Sequence, residues 1–343
     1  MSKIYANPFS WGQPVNGNSY LPRPIEQEQI STAIGNQIPI IISGRRGTGK
    51  TSMMRFILNK MPDPSLFLDL RFVVGLGDLH RELVQAVATA FPSVSETEAF
   101  KALRQMDQEE SLSPIFKFLQ ATQIVLVWDE FHHILNSKGN FIEELTKNFG
   151  VKSGITHVFI SHREDLLCEI FENTKDRPFK KMEHIVLQGL DEKAFNLFLT
   201  KGFRQMGLND FDLANAVLSF TECLPQLTQN LAHSLAQLWL EGNTTRLLDR
   251  TINKMLREHN ALFTSQWDNF GLNEKRLLLG LASGHSRPTE LGFIAKFGLS
   301  ATSTAHNTAL KLLREGWVVN RDEGYYLYDP LFLKWLKNEE VRS

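Results

Sequence analysis

The amino-acid sequence predicts an α/β fold: a parallel five-stranded sheet with helices on both faces, then an all-helical segment and a C-terminal winged helix-turn-helix. Three observations predict it. Short apolar, β-branched runs alternate with helical patterns as far as residue 188, and strands without polar alternation are buried on both faces. From Asp191 onward the pattern becomes almost wholly helical. From about Gly271 the rhythm changes again, to helix, helix-turn-helix and hairpin. The expected domains are therefore 1–188, including an N-terminal arm, then 189–270 and 271–343.

The elements follow in order. Residues 1–24 are rich in Pro, Gly, Asn and Ser and read as an irregular arm, whose aromatics Tyr5, Phe9, Trp11 and Tyr20 suit docking. A helical pattern covers 25–35. Ile38-Pro39-Ile40-Ile41-Ile42-Ser43-Gly44 is the first buried strand candidate, with Pro39 near its start. Helix is predicted over 51–60, strand over 65–70, and helices over 79–91, 97–106 and 114–120. Strands follow at 124–128, 155–161 and 184–187, with helices at 140–148 and 165–171 between them. The helical segment divides into 191–206, 211–221, 224–241 and 244–267, with Asp191 and Asp210 as caps. The last segment gives helices over 273–283, 287–297 and 302–315, then a hairpin over 317–328 turning at Asp322-Glu323-Gly324. Ala301, Ala305, Ala309, Leu310 and Leu313 are the expected core face of its third helix.

The 37 basic and 38 acidic residues give a formal net charge of −1. That balance excludes a polybasic nucleic-acid coat, and the 42% hydrophobic content excludes a disordered chain. Two cysteines, Cys168 and Cys223, are too few for a disulfide framework. With no signal pattern at the N-terminus and no apolar run long enough for a membrane, the expectation is a soluble cytoplasmic protein without a membrane partner.

Gly44-Arg45-Arg46-Gly47-Thr48-Gly49-Lys50-Thr51 carries the chemistry. It fits G-x-x-x-x-G-K-[ST] in full, between a buried strand and a helix. Glycines let backbone N–H groups wrap a phosphate, and the following helix points its positive end at the same anion. Lys50 is expected on the β- and γ-phosphates and the Thr51 hydroxyl on Mg²⁺. The strand ending in Trp128-Asp129-Glu130 supplies the acids: Asp129 for Mg²⁺, and Glu130 to orient or deprotonate water. This is the layout of a P-loop NTPase. Ser161, ending the fourth strand, is a candidate for sensing the γ-phosphate or positioning water. Arg163 and Arg177 are candidate arginine fingers, each also readable as a surface arginine. Arg45 and Arg46 face either phosphate, a neighbouring subunit or solvent. His132 and His133 are adjacent, without a spaced third ligand, and read as structural rather than metal-binding.

These residues resemble the STAND/AAA+ group of P-loop ATPases, in particular archaeal-type ATPases with a C-terminal winged helix. The resemblance rests on Asn7-Pro8-Phe9 and Tyr20-Leu21-Pro22-Arg23-Pro24-Ile25-Glu26, on 44–52, on Val127-Trp128-Asp129-Glu130, and on a C-terminal D-P-x-x-x-x-W-L run at 329–336. It implies that Tyr20 lies in a loop over the adenine and that Ser52 extends the phosphate loop. It also implies that the helical segment is a lid over the nucleotide, with Pro225 near the bound ATP or ADP. Cys223-Leu224-Pro225 keeps that family's proline but not its glycine, and Gln226 stands where a basic sensor is usual.

The expected activity is ATP hydrolysis, slow or partner-stimulated, in a switch that couples nucleotide state to DNA or partner engagement and oligomerises with nucleotide. Ser303, His306, Asn307, Lys311 and Arg314 on the third helix, and Arg321 on the wing, are the candidate contacts to duplex DNA. The alternatives are a signal-responsive or defence ATPase whose winged helix binds a protein, and a partner-dependent ATPase regulating an effector enzyme. Residues 271–343 hold ten basic and eight acidic side chains. So small an excess excludes binding by bulk charge and allows a contact through a few residues.

Overall fold

The computed structural model describes all residues except 1–5, 14–16, 18–19, 106–111, 137–140, 149–153, 164–165, 168–181, 211, 323 and 339–343. Tyr5, Cys168, Arg177 and most of the helix expected over 165–171 therefore lie outside the described residues. The chain divides into two compact units: Pro22–Gln188, and Met1–Leu21 together with Gly189–Ser343.

The first unit is built on five parallel strands: β1 (Ile40–Ser43), β2 (Ser65–Asp69), β3 (Ile124–Asp129), β4 (Ile155–Ile160) and β5 (Glu183–Val186). Their order is β2-β3-β4-β1-β5. Every residue of β1, β3 and β4 is buried, while edge strand β2 alternates. The continuous apolar runs thus occupy the centre of the sheet, as two-sided burial requires. Around it lie α1 (Pro24–Gly35), α2 (Lys50–Leu58), α3 (Leu76–Ala90), α4 (Pro92–Ser95), α5 (Glu98–Gln105), α6 (Ser113–Gln120) and α7 (Phe141–Asn148). The core of this unit holds a ring stack. Trp128 lies 6.3 Å from Phe159 at 9° and 6.0 Å from His157 at 10°. Its indole Nε1 donates to His157 Nδ1 at 3.0 Å.

Because all five strands are parallel, their carboxyl ends share one edge. β4 lies between β1 and β3, so the turn after β4 falls between the phosphate loop and the acidic pair. Ligand sites of open α/β sheets form at this edge.

The second unit is helical, with one continuous core reaching from Phe9 to Leu336. It comprises α8 (Glu192–Gln205), α9 (Leu213–Thr221), α10 (Pro225–Leu240), α11 (Leu247–Asn269), α12 (Leu272–Ala282), α13 (Leu291–Phe297), α14 (Thr302–Arg314), the antiparallel pair β6 (Val318–Arg321) and β7 (Gly324–Leu327), and α15 (Pro330–Lys337). The arm docks on it through Phe9, whose ring meets Phe203 at 5.0 Å. Asn7 Nδ2 donates to the His233 carbonyl at 3.0 Å, and His233 Nδ1 bonds the Phe9 carbonyl at 2.8 Å. Trp11, by contrast, is 49% exposed. The D-P-x-x-x-x-W-L run is α15 itself. Asp329 caps it by accepting from Leu331 and Phe332 N–H, Pro330 opens it, and Trp335 Nε1 donates to Asn260 on α11.

Two sequence expectations shift in the winged segment. The second helix of the winged segment starts at Leu291 rather than 287, because Glu290 is extended and caps it. The buried face of α14 is Ala305, Ala309 and Leu312; Ala301 is exposed before the helix, and Leu310 and Leu313 are half-buried. The 3.6-residue period places 305, 309 and 312 on one stripe, and 313 and then 310 fall progressively off one side of it.

Candidate active site

The phosphate loop is shaped by glycines where its backbone needs them. Gly44, Gly47 and Gly49 have φ of 132°, 79° and 91°. A Cβ on Gly44 would stand 2.4 Å from the Leu187 carbonyl oxygen. Gly49 caps α2, so that helix begins at Lys50 and presents its free N–H groups to the loop. Lys50 Nζ is buried and donates to the Gly44 and Arg45 carbonyls at 2.7 Å each. Burial pushes its ammonium down to about 8, against the opposing pull of Glu130 and Asp129.

Thr51 Oγ1 donates to Asp129 Oδ2 at 2.8 Å. The bond joins α2 to the end of β3 and gathers two hard oxygens at one point, which fits a Mg²⁺ ion. Burial raises the Asp129 carboxyl to about 6; the Thr51 bond opposes this and the charges of Glu130 and Asp69 add to it.

Glu130 follows with φ of 54°, a left-handed value uncommon for a side chain of its size. The turn lifts its carboxylate off the strand direction. Oε2 accepts from His162 Nδ1 at 3.0 Å and lies 3.5 Å from His132 Nδ1. Burial raises this acid, but the His162 bond, the His132 contact and Lys50 together hold it at about 2. It is an ionised carboxylate throughout the neutral range.

Ser161 is fully buried at the end of β4. Its Oγ accepts from Arg163 N–H at 2.9 Å and lies 3.1 Å from His132 Nδ1. Burial and then the neighbouring His162 depress the His132 imidazole to about 3. The structure therefore brings Lys50, Thr51, Asp129, Glu130 and Ser161 to one edge. Arg45 is half-buried and Arg46 exposed in the loop, and Ser52 lies in the first turn of α2. Tyr20 and Pro225 belong to the second unit. On α14, Ser303, His306, Asn307, Lys311 and Arg314 are all exposed. Lys311 is paired with Glu274, and with Glu315 at 3.8 Å; Arg321 is paired with Glu222 at 2.7 Å.

Sequence reasoning missed three parts of this site. Arg23 is buried and donates to the Thr48 carbonyl at 3.0 Å and the Gln188 carbonyl at 2.8 Å, bracing the phosphate loop from outside. His162 holds Glu130. His132 lies in the site beside Ser161 and Glu130 rather than in a merely structural place. No motif spacing marks any of them: His132 and His162 are signalled only by closely following a strand end, and Arg23 only by its place in the Tyr20–Glu26 stretch just before α1.

Comparison with known proteins bears on the same regions. The AAA domain family matches residues 34–167, and the family described as "Probable winged helix domain" matches residues 261–338. The chain carries an AAA-type P-loop ATPase domain and a C-terminal winged helix domain. Among solved structures, this ATPase is similar to a Walker-type ATPase of Pyrococcus abyssi, at 15% identity and a TM-score of 0.77, over 93% of this chain and 97% of that one. It is similar to the Aeropyrum pernix ORC2 protein in its ADPNP-ADP complexes, at 13% identity and TM-score 0.63, over 94% and 97% of the two chains. It is also similar to the Aeropyrum pernix ORC1 protein in complex with DNA, at 14% identity and TM-score 0.54, over 94% of each chain. At such identities the likeness is one of fold. Comparison with the curated proteins gives no match. Among the described residues no helix is long and apolar enough to cross a membrane.

Proposed function

We propose that this ATPase is a nucleotide-driven switch: it binds ATP with Mg²⁺ at Gly44–Thr51, hydrolyses it through Glu130, and changes with nucleotide state how its winged helix engages duplex DNA. The observation that carries the nucleotide half is the Thr51–Asp129 bond at 2.8 Å, flanked by Lys50 and Glu130 on the same sheet edge. Lys50 supplies the cation for the β- and γ-phosphates, and the N-terminus of α2 adds its dipole. Thr51 and Asp129 hold the metal, whose charge neutralises the phosphate oxygens. Glu130, kept ionised, takes up a proton from the attacking water or orients it. Ser161, beside Glu130 through His132, positions that water or senses the γ-phosphate. The family resemblance adds Tyr20 and Pro225 as further nucleotide contacts, 189–270 as a lid and 271–343 as the DNA-engaging domain. Residues 22–188 carry the ATPase domain; the arm, expected to belong with it, packs instead with the helical unit. Hydrolysis is slow or partner-stimulated, since Gln226 replaces a basic sensor, and nucleotide also governs self-association in the cytoplasm.

The reading of α14 as a DNA helix draws on its exposed polar face and on the similar ORC1 structure, which is a DNA complex. One observation favours a second reading. Lys311 and Arg321, two of the three Lys and Arg candidates for phosphate, are engaged with the chain's own acids. That suits a winged helix that meets a protein partner or effector. ATPase rate with and without duplex DNA, with mass measured in ADP and in a non-hydrolysable ATP analogue, separates the two. The DNA reading requires salt-dependent binding and a changed rate. Nucleotide-dependent oligomers with no DNA response would support the partner reading instead. No nucleotide binding at all would overturn both.

A further inference from the structure

Glu130 is followed by a short 3-10 helix, Phe131–Asn136. Two of its side chains, Phe131 and Ile134, are buried in the core, and Phe131 packs on Phe159 at 4.7 Å. With three residues per turn, 131 and 134 share one face, which leaves 132 and 133 on the others. The left-handed turn at Glu130 then folds its carboxylate back over the same helix, and His133 N–H closes the turn on the Glu130 carbonyl at 3.0 Å. The two imidazole rings lie 4.3 Å apart. One ligand atom from each of Glu130, His132 and His133 lies within 4.8 Å of the other two. The adjacency that argued against metal in a regular helix or strand does not apply to this turn, and the third ligand comes from the residue just before it.

The geometry points to a transition-metal site, of the Zn²⁺ class, formed by Glu130, His132 and His133, whose occupation withdraws Glu130 from hydrolysis. Two imidazoles and one carboxylate are the donor set of open zinc sites, with bonds of about 2.0–2.2 Å. A modest closure of the three groups brings them to that distance. The remaining position is open to water or to His162, whose ring lies 4.3 Å from that of His132. Nitrogen donors select against Mg²⁺, which prefers oxygens and suits the neighbouring Thr51 and Asp129 instead. The edge of the sheet thus offers two donor sets of different hardness, side by side. Ser161 and His162 already bond to the proposed ligands, as the partners that orient metal-binding groups do. The inhibitory consequence rests on Glu130 being the hydrolytic base; the metal site itself does not.

The test is uptake of Zn²⁺ alone by the full chain without nucleotide, read by competition with a chromophoric chelator, and Co²⁺ as a visible-absorption probe. His133 is exposed and takes no part in the proposed hydrolysis, so His133→Ala is the informative variant. One equivalent of Zn²⁺ should bind to the native chain, and H133A and Glu130→Gln should each weaken it at least about tenfold. Stoichiometric Zn²⁺ should slow ATP turnover of the native protein and spare H133A, whose basal rate and melting temperature are unchanged. Absence of stoichiometric uptake, or uptake that H133A and E130Q leave intact, would overturn the site. Uptake lost in both variants with turnover indifferent to Zn²⁺ would retain the site and overturn the inhibition.

Discussion

At the scale of single residues, the site depends on groups that hold other groups. Lys50 is the cation of the phosphate loop, and Lys50→Ala should weaken nucleotide binding by about 2 kcal/mol or more, about thirtyfold, in equilibrium titration with a fluorescent ATP analogue. Arg23 acts one step back. Removing its guanidinium leaves the Thr48 and Gln188 carbonyls without that donor. Arg23→Ala should therefore cost about 1–3 kcal/mol in urea unfolding, with a loss of nucleotide affinity greater than that of any exposed arginine variant. The difference between the two residues shows what is legible in a sequence. Lys50 sits in a contiguous motif whose glycines, strand and helix can all be read locally. Arg23 lies 25 residues before its partner Thr48, and only the folded chain joins them. The same holds for Glu130 and His162, which stand 32 residues apart and meet because β3 and β4 are neighbours.

At the scale of elements, the strands were legible because burial on both faces leaves only apolar, β-branched side chains in β1, β3 and β4. The exceptions within those runs carry the chemistry of packing. His157 is buried inside β4 and accepts from Trp128, and burial depresses its imidazole to about 3. The folded pKa lies below the unfolded value of 6.5, so the folded state resists protonation. Its stability is whole above about pH 6.5 and falls as the pH drops toward 3, at up to about 1.4 kcal/mol per pH unit from this group. His157→Gln keeps an acceptor for Trp128 without the titrating ring, and should flatten urea midpoints plotted against pH in that window. Gly202 is a second element-scale case. A Cβ there would stand 2.5 Å from the Phe9 ring, so α8 is indented for the arm. Gly202→Ala should loosen the arm, costing about 1–3 kcal/mol and speeding proteolysis before residue 20. The 3-10 helix after Glu130 was not legible: its periodicity is too short to register, and its conformation follows from the left-handed residue that precedes it.

At the scale of the whole molecule, the near-zero net charge excluded binding by bulk field. The structure adds that two candidate DNA cations are held in ion pairs with the chain's own acids. The exposed Arg321–Glu222 pair contributes about 0–1 kcal/mol, so it is readily exchanged for another anion, whereas Lys311 is held by the buried Glu274. If the wing reads phosphate, Glu222→Gln should release Arg321 and tighten duplex binding about two- to fivefold at low salt. Arg321→Ala should abolish that gain and lower the salt slope by about one. The winged segment was legible from its rhythm and its D-P-x-x-x-x-W-L run, whereas the pairing of its cations was not, because Glu222 lies a hundred residues upstream in a different helical context.

The central claim is that Glu130 performs hydrolysis on a nucleotide held by Lys50, Thr51 and Asp129. The most direct measurement compares ATP affinity and turnover in Glu130→Gln with the native chain under identical Mg²⁺. The account predicts affinity within a few-fold and turnover reduced about 10²-fold or more. Unchanged turnover in that variant would contradict it.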